Sequence, residues 1–371
     1  MPKKTEYAKA GVDYRKIQPF KEIMLAVAKR TTEFPRRRGY VSILPSGAYR
    51  YFGRLPFMAG KPVLEGLGNK SWVAEWMYKN AGTGKTYYDG IGYDSAMMAV
   101  NDFIVQGAMP VTYNDEVAAG DSEWFEDEKR AGDLAEGFYD ACKDVGMALV
   151  GGESPSLRYL VNARKPVKSA PSLSGCVTGI IAPATWLIDG SKLQAGDSII
   201  GIASSGVHCN GFSLIIKRMM RKKNKFLEKL PHNGRTIGEE VLTKTLCYVS
   251  LVEGLLETGV DVHAFLPGTG DGVAKLAVDK RPFTYRIHFW PEVPPIFQYF
   301  RGLGIPLKDC LKTFNWGIGY YVFVPPYEVE RTLRVARFRG YGAWEIGQVE
   351  EGERQTIFGP EKNMILEPPG A

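Results

Sequence analysis

The sequence predicts a mixed α/β (α+β) protein of two domains. Between residues 61 and 183, short β-rich runs alternate with amphipathic stretches such as 94–105 and 130–144, which have helix-like apolar spacing. A second unit opens with the apolar run 198–203, then a glycine turn and a helical pattern at 211–220. At roughly 150 residues per domain, 371 residues allow about two to three domains. We predict two.

The domain boundary is predicted near residue 190. Residues 1–60 are mixed, first charged and then rich in Gly, Pro and aromatic residues, and are interpreted as an arm laid over the first domain. The strand-like run 176–182 is followed by a polar connector at 189–197. We therefore assign residues 1–190 to an N-terminal domain and 191–371 to a C-terminal domain. Further predicted elements are a helix at 249–257, a tight loop at 268–272 and a strand at 320–324.

Composition excludes several classes of protein. The net charge is 47 − 41 = +6, a mild surplus, and the basic run at 217–225 has no interleaved aromatic residues, so we expect no nucleic-acid partner. The five cysteines contain no CxxC pair, which argues against a disulfide framework or a zinc site. No signal-like apolar region follows the N-terminus and no apolar run reaches 18 residues. We expect a cytoplasmic protein without a membrane partner.

The first candidate site is the segment Glu65–Gly66–Leu67–Gly68–Asn69–Lys70. Gly66 and Gly68 free the backbone to approach a ligand, while a carboxylate and an ammonium five positions apart suit a phosphate with its divalent cation. An ordinary glycine turn with exposed charges is the alternative.

The second candidate combines Asp89–Asp94 with Asn101 and Asp102. If a helix begins at Asp94, Asp94 and Asn101 share a face and their oxygens converge on a hard cation. The alternative is that Asp94 caps the helix and Asp102 is exposed.

Two further segments follow predicted strands. Residues 148–154 contain a predicted strand that ends in Gly151, Gly152 and Glu153. The ends of strands are where open α/β sheets bind ligands. Residues 204–211 place small hydrogen-bond donors and an imidazole just before a helix, which favours an anion. His263 lies in an apolar context, where a histidine is more often structural than catalytic.

Six segments match, in order, the motifs YxxAGVD, VNDLxxQGAxP, GGET, SSGxHSNGYS, TFNCGVG and AWxIG. By these motifs the chain resembles the phosphoribosylformylglycinamidine cyclo-ligases, also called aminoimidazole ribonucleotide synthetases, over nearly its whole length. The matching segments are residues 7–13, 100–110, 151–153, 204–211, 313–319 and 343–347.

The chain departs from the family pattern at several positions. DGVGTK is replaced by Glu65–Lys70, and Ser156 stands where GGETAEMP has its second acid. In HAxxHITGGG, Pro267 replaces the second histidine and Asp271 replaces a glycine. HDTIG becomes residues 88–92.

The resemblance implies an N-terminal ATP-binding and dimerisation domain, whose sheet pairs with that of a second copy in a homodimer, and a C-terminal α/β domain. It also implies ATP and magnesium as cofactors, and a small ribonucleotide substrate. The implied reaction is ATP-dependent ring closure of formylglycinamidine ribonucleotide to aminoimidazole ribonucleotide, with release of ADP and phosphate.

The resemblance also implies roles for individual residues. The metal ligands are Glu65, Asp94 and Asp102. The nucleotide is bound by Glu65, Gly66, Gly68, Lys70, Asp89, Asn101, Gly151, Gly152 and Glu153. The substrate is bound by Ser204, Ser205, Gly206, His208 and Asn210. The catalytic residues are His263, Lys70 and Asp115.

Two alternatives remain open at this stage. One keeps the fold and ATP but changes the acceptor, as in thiamin monophosphate kinase or a hydrogenase-maturation enzyme of the same superfamily. The other is a non-catalytic nucleotide-binding homologue.

Overall fold

The computed structural model describes residues 14–43, 48–51, 57–231 and 233–369, so part of the predicted arm lies outside the described residues. The chain forms two compact units. The first contains the described residues up to Phe103 together with Pro110–Ile180, and the second contains Ile104–Met109 and the described residues from Ile181 onward. Among the helices that the structure describes, none combines the length and the apolar character needed to cross a bilayer.

The first unit is a five-stranded sheet packed against helices. Its strand order is β3-β7-β5-β6, and β4 also pairs with β7 in antiparallel orientation. β5 and β6 are parallel, whereas β1 and β2 form a separate antiparallel pair. The helices are α1 (Tyr14–Thr31), α2 (Lys70–Asn80), α3 (Tyr88–Phe103) and α4 (Glu128–Val145). The strands are β1 (Tyr40–Ile43), β2 (Ala48–Tyr51), β3 (Met58–Ala59), β4 (Val63–Gly66), β5 (Met109–Ala118), β6 (Ala148–Glu153) and β7 (Ser172–Ile181).

Helix α3 begins at Tyr88, so the prediction that a helix begins at Asp94 was wrong. Two glycines bring α3 and α4 close together. A Cβ on Gly92 would lie 2.3 Å from the carbonyl oxygen of Leu134 on α4, and a Cβ on Gly137 would lie 2.3 Å from that of Asp89. Glycine is therefore required where the α3 and α4 backbones touch, and Asp94 lies in the middle of a buried helix.

The second unit contains a seven-stranded sheet in the order β14-β13-β10-β12-β8-β11-β9. The predicted strand at 198–203 and helix at 249–257 are confirmed. The strands are β8 (Ser198–Ala203), β9 (Ala264–Pro267), β10 (Phe283–Ile287), β11 (Ile318–Val324), β12 (Ala343–Glu351), β13 (Gln355–Phe358) and β14 (Met364–Leu366). The helices are α5 (Phe212–Met219), α6 (Ile237–Val241), α7 (Val249–Glu257), α8 (Pro295–Gly302), α9 (Leu307–Thr313) and α10 (Val329–Phe338).

Strand β11 runs through the core of the second unit, and all seven of its residues are buried. It is antiparallel to both β8 and β9. Ile318 pairs with Ala203 and Tyr320 with Pro267, so the loops that follow β8 and β9 leave from one end of the sheet. The residues that precede β8 and β9, Asp197 and His263, lie at the opposite end.

Candidate functional site

A cavity of about 360 Å³ in the first unit lies between α1 and the strands β5 and β6. Its volume is in the range of small-molecule sites. The predicted residues Asp115, Gly151 and Gly152 all line it. Its other lining residues are Lys21, Met24, Leu25, Ala28, Lys29, Leu149, Val150 and Ser154.

The two glycines at the end of β6 leave room for side chains of β5. Asp115 and Gly152 are partners in the parallel register. A Cβ on Gly152 would lie 2.3 Å from Oδ1 of Asp115, and a Cβ on Gly151 would lie 3.1 Å from Oδ1 of Asn114. The adjacent glycines predicted from the sequence therefore let the Asp115 carboxyl turn into the cavity.

Asp115 lines this cavity, and the pKa of its carboxyl is strongly raised. Its side chain is only 8% exposed. Loss of hydration disfavours the charged carboxylate, so burial raises the pKa of Asp115 to about 7. A carboxyl with that pKa exchanges protons near neutral pH, which suits a general acid or base.

Helix α1 supplies two lysines that sequence reasoning did not single out. Lys21 and Lys29 line the cavity, eight residues apart along the helix. The helix is fixed to the edge of β6, because Thr31 Oγ1 accepts a hydrogen bond from the backbone N–H of Leu149 at 2.8 Å. Arg30 also forms an ion pair with Glu136 of α4 at 2.6 Å.

Lys70 lies at the start of α2 and is completely buried. Its ammonium is 2.5 Å from Oδ2 of Asp94, and neither side chain has exposed surface. Direct contact between Lys70 and a bound phosphate would therefore require this ion pair to open.

The remaining predicted nucleotide and metal residues lie at different depths. Glu65 is half-buried on β4, Gly68 has a left-handed backbone (φ 72°), and Asn101 is 5% exposed within α3. Asp89 and Glu153 are exposed, Gly66 is exposed at the end of β4, and Asp102 is half-buried.

Magnesium does not find a ready-made site in these residues. Within the described ranges no three His, Cys, Asp or Glu side chains come together as a metal-binding group. Asp94, one of the three predicted ligands, is instead bound by Lys70 inside the protein. The predicted set of Glu65, Asp94 and Asp102 does not fit a bound magnesium as it stands.

A separate candidate site in the second unit is the loop that follows β8, residues 204–210, here called the anion loop. Ser204 N–H donates to the carbonyl of Gly317 at 2.9 Å, and Ser205 Oγ donates to the carbonyl of Lys244 at 2.6 Å. His208 is 5% exposed, and its Nε2 accepts a hydrogen bond from Ser205 N–H at 3.2 Å.

Glycines let side chains pack closely against the backbone beside the anion loop. A Cβ on Gly319 would lie 2.0 Å from the hydroxyl of Tyr248 and 2.6 Å from Cε1 of His208. Gly211, which follows Asn210 and precedes α5, has φ 79° and packs against Phe314. The anion loop contains all the residues predicted to bind the substrate, which are Ser204, Ser205, Gly206, His208 and Asn210.

His263 is held between two carboxylates. Its Nδ1 lies 2.9 Å from both oxygens of Asp197, and its Nε2 lies 3.5 Å from Oδ2 of Asp261. A hydrogen bond from Lys192 lowers the pKa of Asp261. This cluster precedes β8 and β9, whereas the anion loop follows β8, so the six residues of the strand put about 20 Å between them.

Both halves of the chain match known domains. The AIR synthase related protein N-terminal domain matches residues 68–181, and the AIR synthase related protein C-terminal domain matches residues 194–359. The chain belongs to the AIR synthase related protein family. The resemblance seen in the sequence is thereby confirmed.

Relatives within this family share about a third of their residues with the chain. The phosphoribosylformylglycinamidine cyclo-ligase of Pseudothermotoga lettingae is 33% identical over 319 residues, covering 84% of this chain and 89% of the relative. The enzyme of that name from Thermococcus gammatolerans is 33% identical over 362 residues, with coverages of 95% and 98%. That from Parasynechococcus marenigrum is 31% identical over 355 residues, with coverages of 94% and 96%.

Solved structures share the fold at low identity. The hydrogenase maturation protein HypE in complex with ATP has a TM-score of 0.56 and 15% identity, covering 87% of this chain and 88% of that protein. Thiamine-monophosphate kinase from Stenotrophomonas maltophilia has a TM-score of 0.59 and 14% identity, with coverages of 88% and 93%. The predicted two-domain α/β architecture is confirmed by these likenesses.

Proposed function

We propose that this protein is an ATP-dependent cyclo-ligase that closes the imidazole ring of formylglycinamidine ribonucleotide. The products are aminoimidazole ribonucleotide, ADP and phosphate. The observation that carries the proposal is the similarity to enzymes named phosphoribosylformylglycinamidine cyclo-ligase, which reaches 33% identity over 95% of this chain. Release of ADP that depends on the ribonucleotide tests it.

The chemistry has two parts. An amide oxygen is a poor leaving group, so the γ-phosphoryl group of ATP is first transferred to it, which gives an iminophosphate and ADP. The neighbouring amidine nitrogen then attacks the activated carbon, loses a proton and expels phosphate. Catalysis consists mainly of holding these groups within reach and neutralising charge on the transferred phosphoryl group.

The cavity of the first unit is the proposed nucleotide site. Its apolar wall from α1 and β6 suits a purine base, and Lys21 and Lys29 provide positive charge for phosphates. Asp115, whose pKa burial raises to about 7, is the proposed acceptor of the amidine proton. Gly151 and Gly152 leave the room beside this site that the side chains of Asn114 and Asp115 occupy.

Magnesium remains part of the proposal only as an ion that arrives with ATP. Magnesium is usually held by one or two carboxylates together with substrate phosphates. Glu65 and Asp102 are the predicted ligands that are not enclosed in the Lys70–Asp94 pair. No step of the reaction is assigned to the metal.

The anion loop of the second unit is the proposed site for the ribonucleotide phosphate. It collects the amide of Asn210 and backbone N–H groups at the start of α5. Such groups favour an anion because they donate hydrogen bonds without bringing a competing negative charge. His263 lies at the other end of the same sheet, so we propose a supporting role for it in place of proton transfer.

A homodimer formed through the first sheet is the proposed assembly. The face of this sheet away from the helices presents Leu64, which is 69% exposed, beside Cys176 on β7. Bonds between Thr112 and Thr178 and between Ser174 and Glu116 span the same face. A second copy would cover this face, and a single-chain mass in light scattering would contradict the proposal. The cytoplasm remains the predicted compartment.

A further inference from the structure

Both polar atoms of the Asn315 side-chain amide form hydrogen bonds with neighbouring residues. The residue is 2% exposed and precedes β11. Its Oδ1 accepts hydrogen bonds from Gly317 N–H at 3.0 Å and from Ser204 Oγ at 3.2 Å. Its Nδ2 donates to the carbonyl of Gly206 at 2.8 Å. Two of these three partners belong to the anion loop, although Asn315 lies more than a hundred residues away in the chain.

The backbone around Asn315 holds both ends of the same loop. At its start, Ser204 N–H donates to the carbonyl of Gly317 at 2.9 Å. Just beyond its end, Gly211 packs so closely on Phe314 that a Cβ there would lie 2.4 Å from Cε1 of the ring. Residues 313–317, here called the template, therefore fix the conformation of the anion loop.

The template has an unusual backbone. Trp316 has φ 54° and Gly317 has φ 103°, both in the left-handed region, which is costly for a bulky residue such as tryptophan. The carbonyl of Trp316 accepts a hydrogen bond from Trp290 Nε1 at 3.1 Å, which fixes this turn from the other side. A costly conformation that the surroundings hold in place is typical of a segment with a positioning function.

The bond from Nδ2 to Gly206 sets the direction of one peptide group. In a trans peptide the C=O and the following N–H point in opposite directions. Because Asn315 draws the carbonyl of Gly206 toward itself, the N–H of Val207 points away from Asn315. Asn315 thereby fixes which way a donor of the anion loop faces.

We propose that Asn315 is a positioning residue for the phosphate of the ribonucleotide substrate. It does not touch the ligand. It anchors Ser204 by accepting the hydrogen of its hydroxyl and orients the peptide that joins Gly206 to Val207, so that the anion loop is formed before the substrate arrives. The inference rests on the proposed function, in which the anion loop takes that phosphate.

The test compares Asn315→Asp with a matched control. The substitution keeps the shape and the Oδ1 acceptor but places an oxygen against the carbonyl of Gly206, where a donor is needed. Asn80→Asp is the control, because Asn80 also donates through Nδ2 to a backbone carbonyl, that of Trp76 at 2.7 Å, but in the first unit. We expect Asn315→Asp to raise KM for formylglycinamidine ribonucleotide about tenfold or more while KM for ATP stays within about twofold. Asn80→Asp should change neither.

A pH series separates positioning from general damage to the fold. When Asp at position 315 is protonated it can again donate to Gly206, so the ratio of the variant's KM to that of the wild type should fall as the pH is lowered. Asn315→Ala removes all three bonds and should show the raised KM without this recovery. Equal changes in both KM values, or a lower melting temperature with an unchanged KM for the ribonucleotide, would overturn the inference.

Binding of ribose 5-phosphate to the full-length chain provides a readout that does not need turnover. Calorimetry should show weaker binding by Asn315→Asp than by the wild type or Asn80→Asp. If the wild type turns over no formylglycinamidine ribonucleotide but shows this difference, the proposed reaction fails and the positioning role stands. If the wild type binds ribose 5-phosphate no better than Asn315→Ala does, the positioning role fails.

Discussion

The ammonium of Lys70 lies 2.5 Å from Oδ2 of Asp94, and both side chains are completely buried. The pair joins the first residue of α2 to the middle of α3. Two opposite charges held out of water in contact stabilise each other, but each becomes a liability without the other.

Replacing Lys70 alone should therefore destabilise the protein. We expect Lys70→Met to lower the free energy of unfolding by about 3–5 kcal/mol, because it leaves Asp94 buried without its cation. Lys129→Met is the control, since Lys129 pairs with Asp133 on the exposed face of α4 and should cost less than about 1 kcal/mol. Urea unfolding followed by circular dichroism measures both.

The double variant Lys70→Met/Asp94→Leu sharpens this prediction. It removes both charges, so it should recover a large part of the stability lost in the single variant. If Lys70→Met unfolded at the same urea concentration as the wild type, the buried ion pair would be refuted.

Asp115 should make stability depend on pH in a specific direction. Its pKa is about 7 in the folded protein and about 4 when unfolded, so between these values the folded state binds a proton that the unfolded state does not. Stability contributed by this group is thus complete below about pH 4, falls as the pH rises to about 7, and changes no further above that. Three pKa units correspond to about 4 kcal/mol.

Asp115→Asn should abolish this dependence. The difference in the free energy of unfolding between variant and wild type should grow in favour of the variant from pH 4 to pH 7. Turnover should be lost in the variant, since an amide cannot accept the amidine proton. If the difference in the free energy of unfolding between Asp115→Asn and the wild type did not change between pH 4 and pH 7, the burial of the Asp115 carboxyl would be contradicted.

Two glycines of the first unit offer a matched comparison. Gly152→Ala places a Cβ 2.3 Å from Oδ1 of Asp115, so it should displace the carboxyl and weaken ATP binding by about tenfold or more. A Cβ on Gly132, inside α4, meets nothing within 4 Å, so Gly132→Ala should leave binding unchanged and add about 0.5–1 kcal/mol of stability. Calorimetric titration with ATP checks both variants. Equal ATP affinities would exclude the cavity as the nucleotide site.

His263 should prove structural. His263→Asn retains a donor toward Asp197 and should keep turnover within about threefold of the wild type. His263→Leu leaves the carboxylate of Asp197, which is 1% exposed, without that donor and should lower the melting temperature by several degrees. A hundredfold loss of kcat in His263→Asn at an unchanged melting temperature would instead restore His263 as the proton-transfer residue.

Local patterns allowed much of the fold to be predicted from sequence. The apolar run at β8 and the periodicity of α7 gave bounds that match the structure. Helix-like apolar spacing was recognised only from Asp94 onward, six residues after helix α3 begins, and Gly92 in the missed turns meets the carbonyl of Leu134 on another helix. Such a contact depends on a partner more than forty residues away, which no local pattern reveals.

The sequence predicted which segments form the candidate sites, but not which side chains contact each other there. The glycines beside Asp115 and the anion loop were identified, since both follow strand ends. The enclosure of Lys70 by Asp94 was not, because a lysine beside a glycine turn ordinarily indicates exposure. Asn315 was recognised only as part of a motif, and its role became visible once Ser204 and Gly206 were seen on its two sides.

An isotope experiment tests the central proposal most directly. Formylglycinamidine ribonucleotide labelled with ¹⁸O in the formyl oxygen would be incubated with ATP and magnesium, and the inorganic phosphate analysed by mass spectrometry. We predict that aminoimidazole ribonucleotide forms and that each phosphate carries one ¹⁸O, because the oxygen leaves with the phosphoryl group that activated it. ADP release independent of the ribonucleotide, or ring closure with the label found in water, would contradict the account.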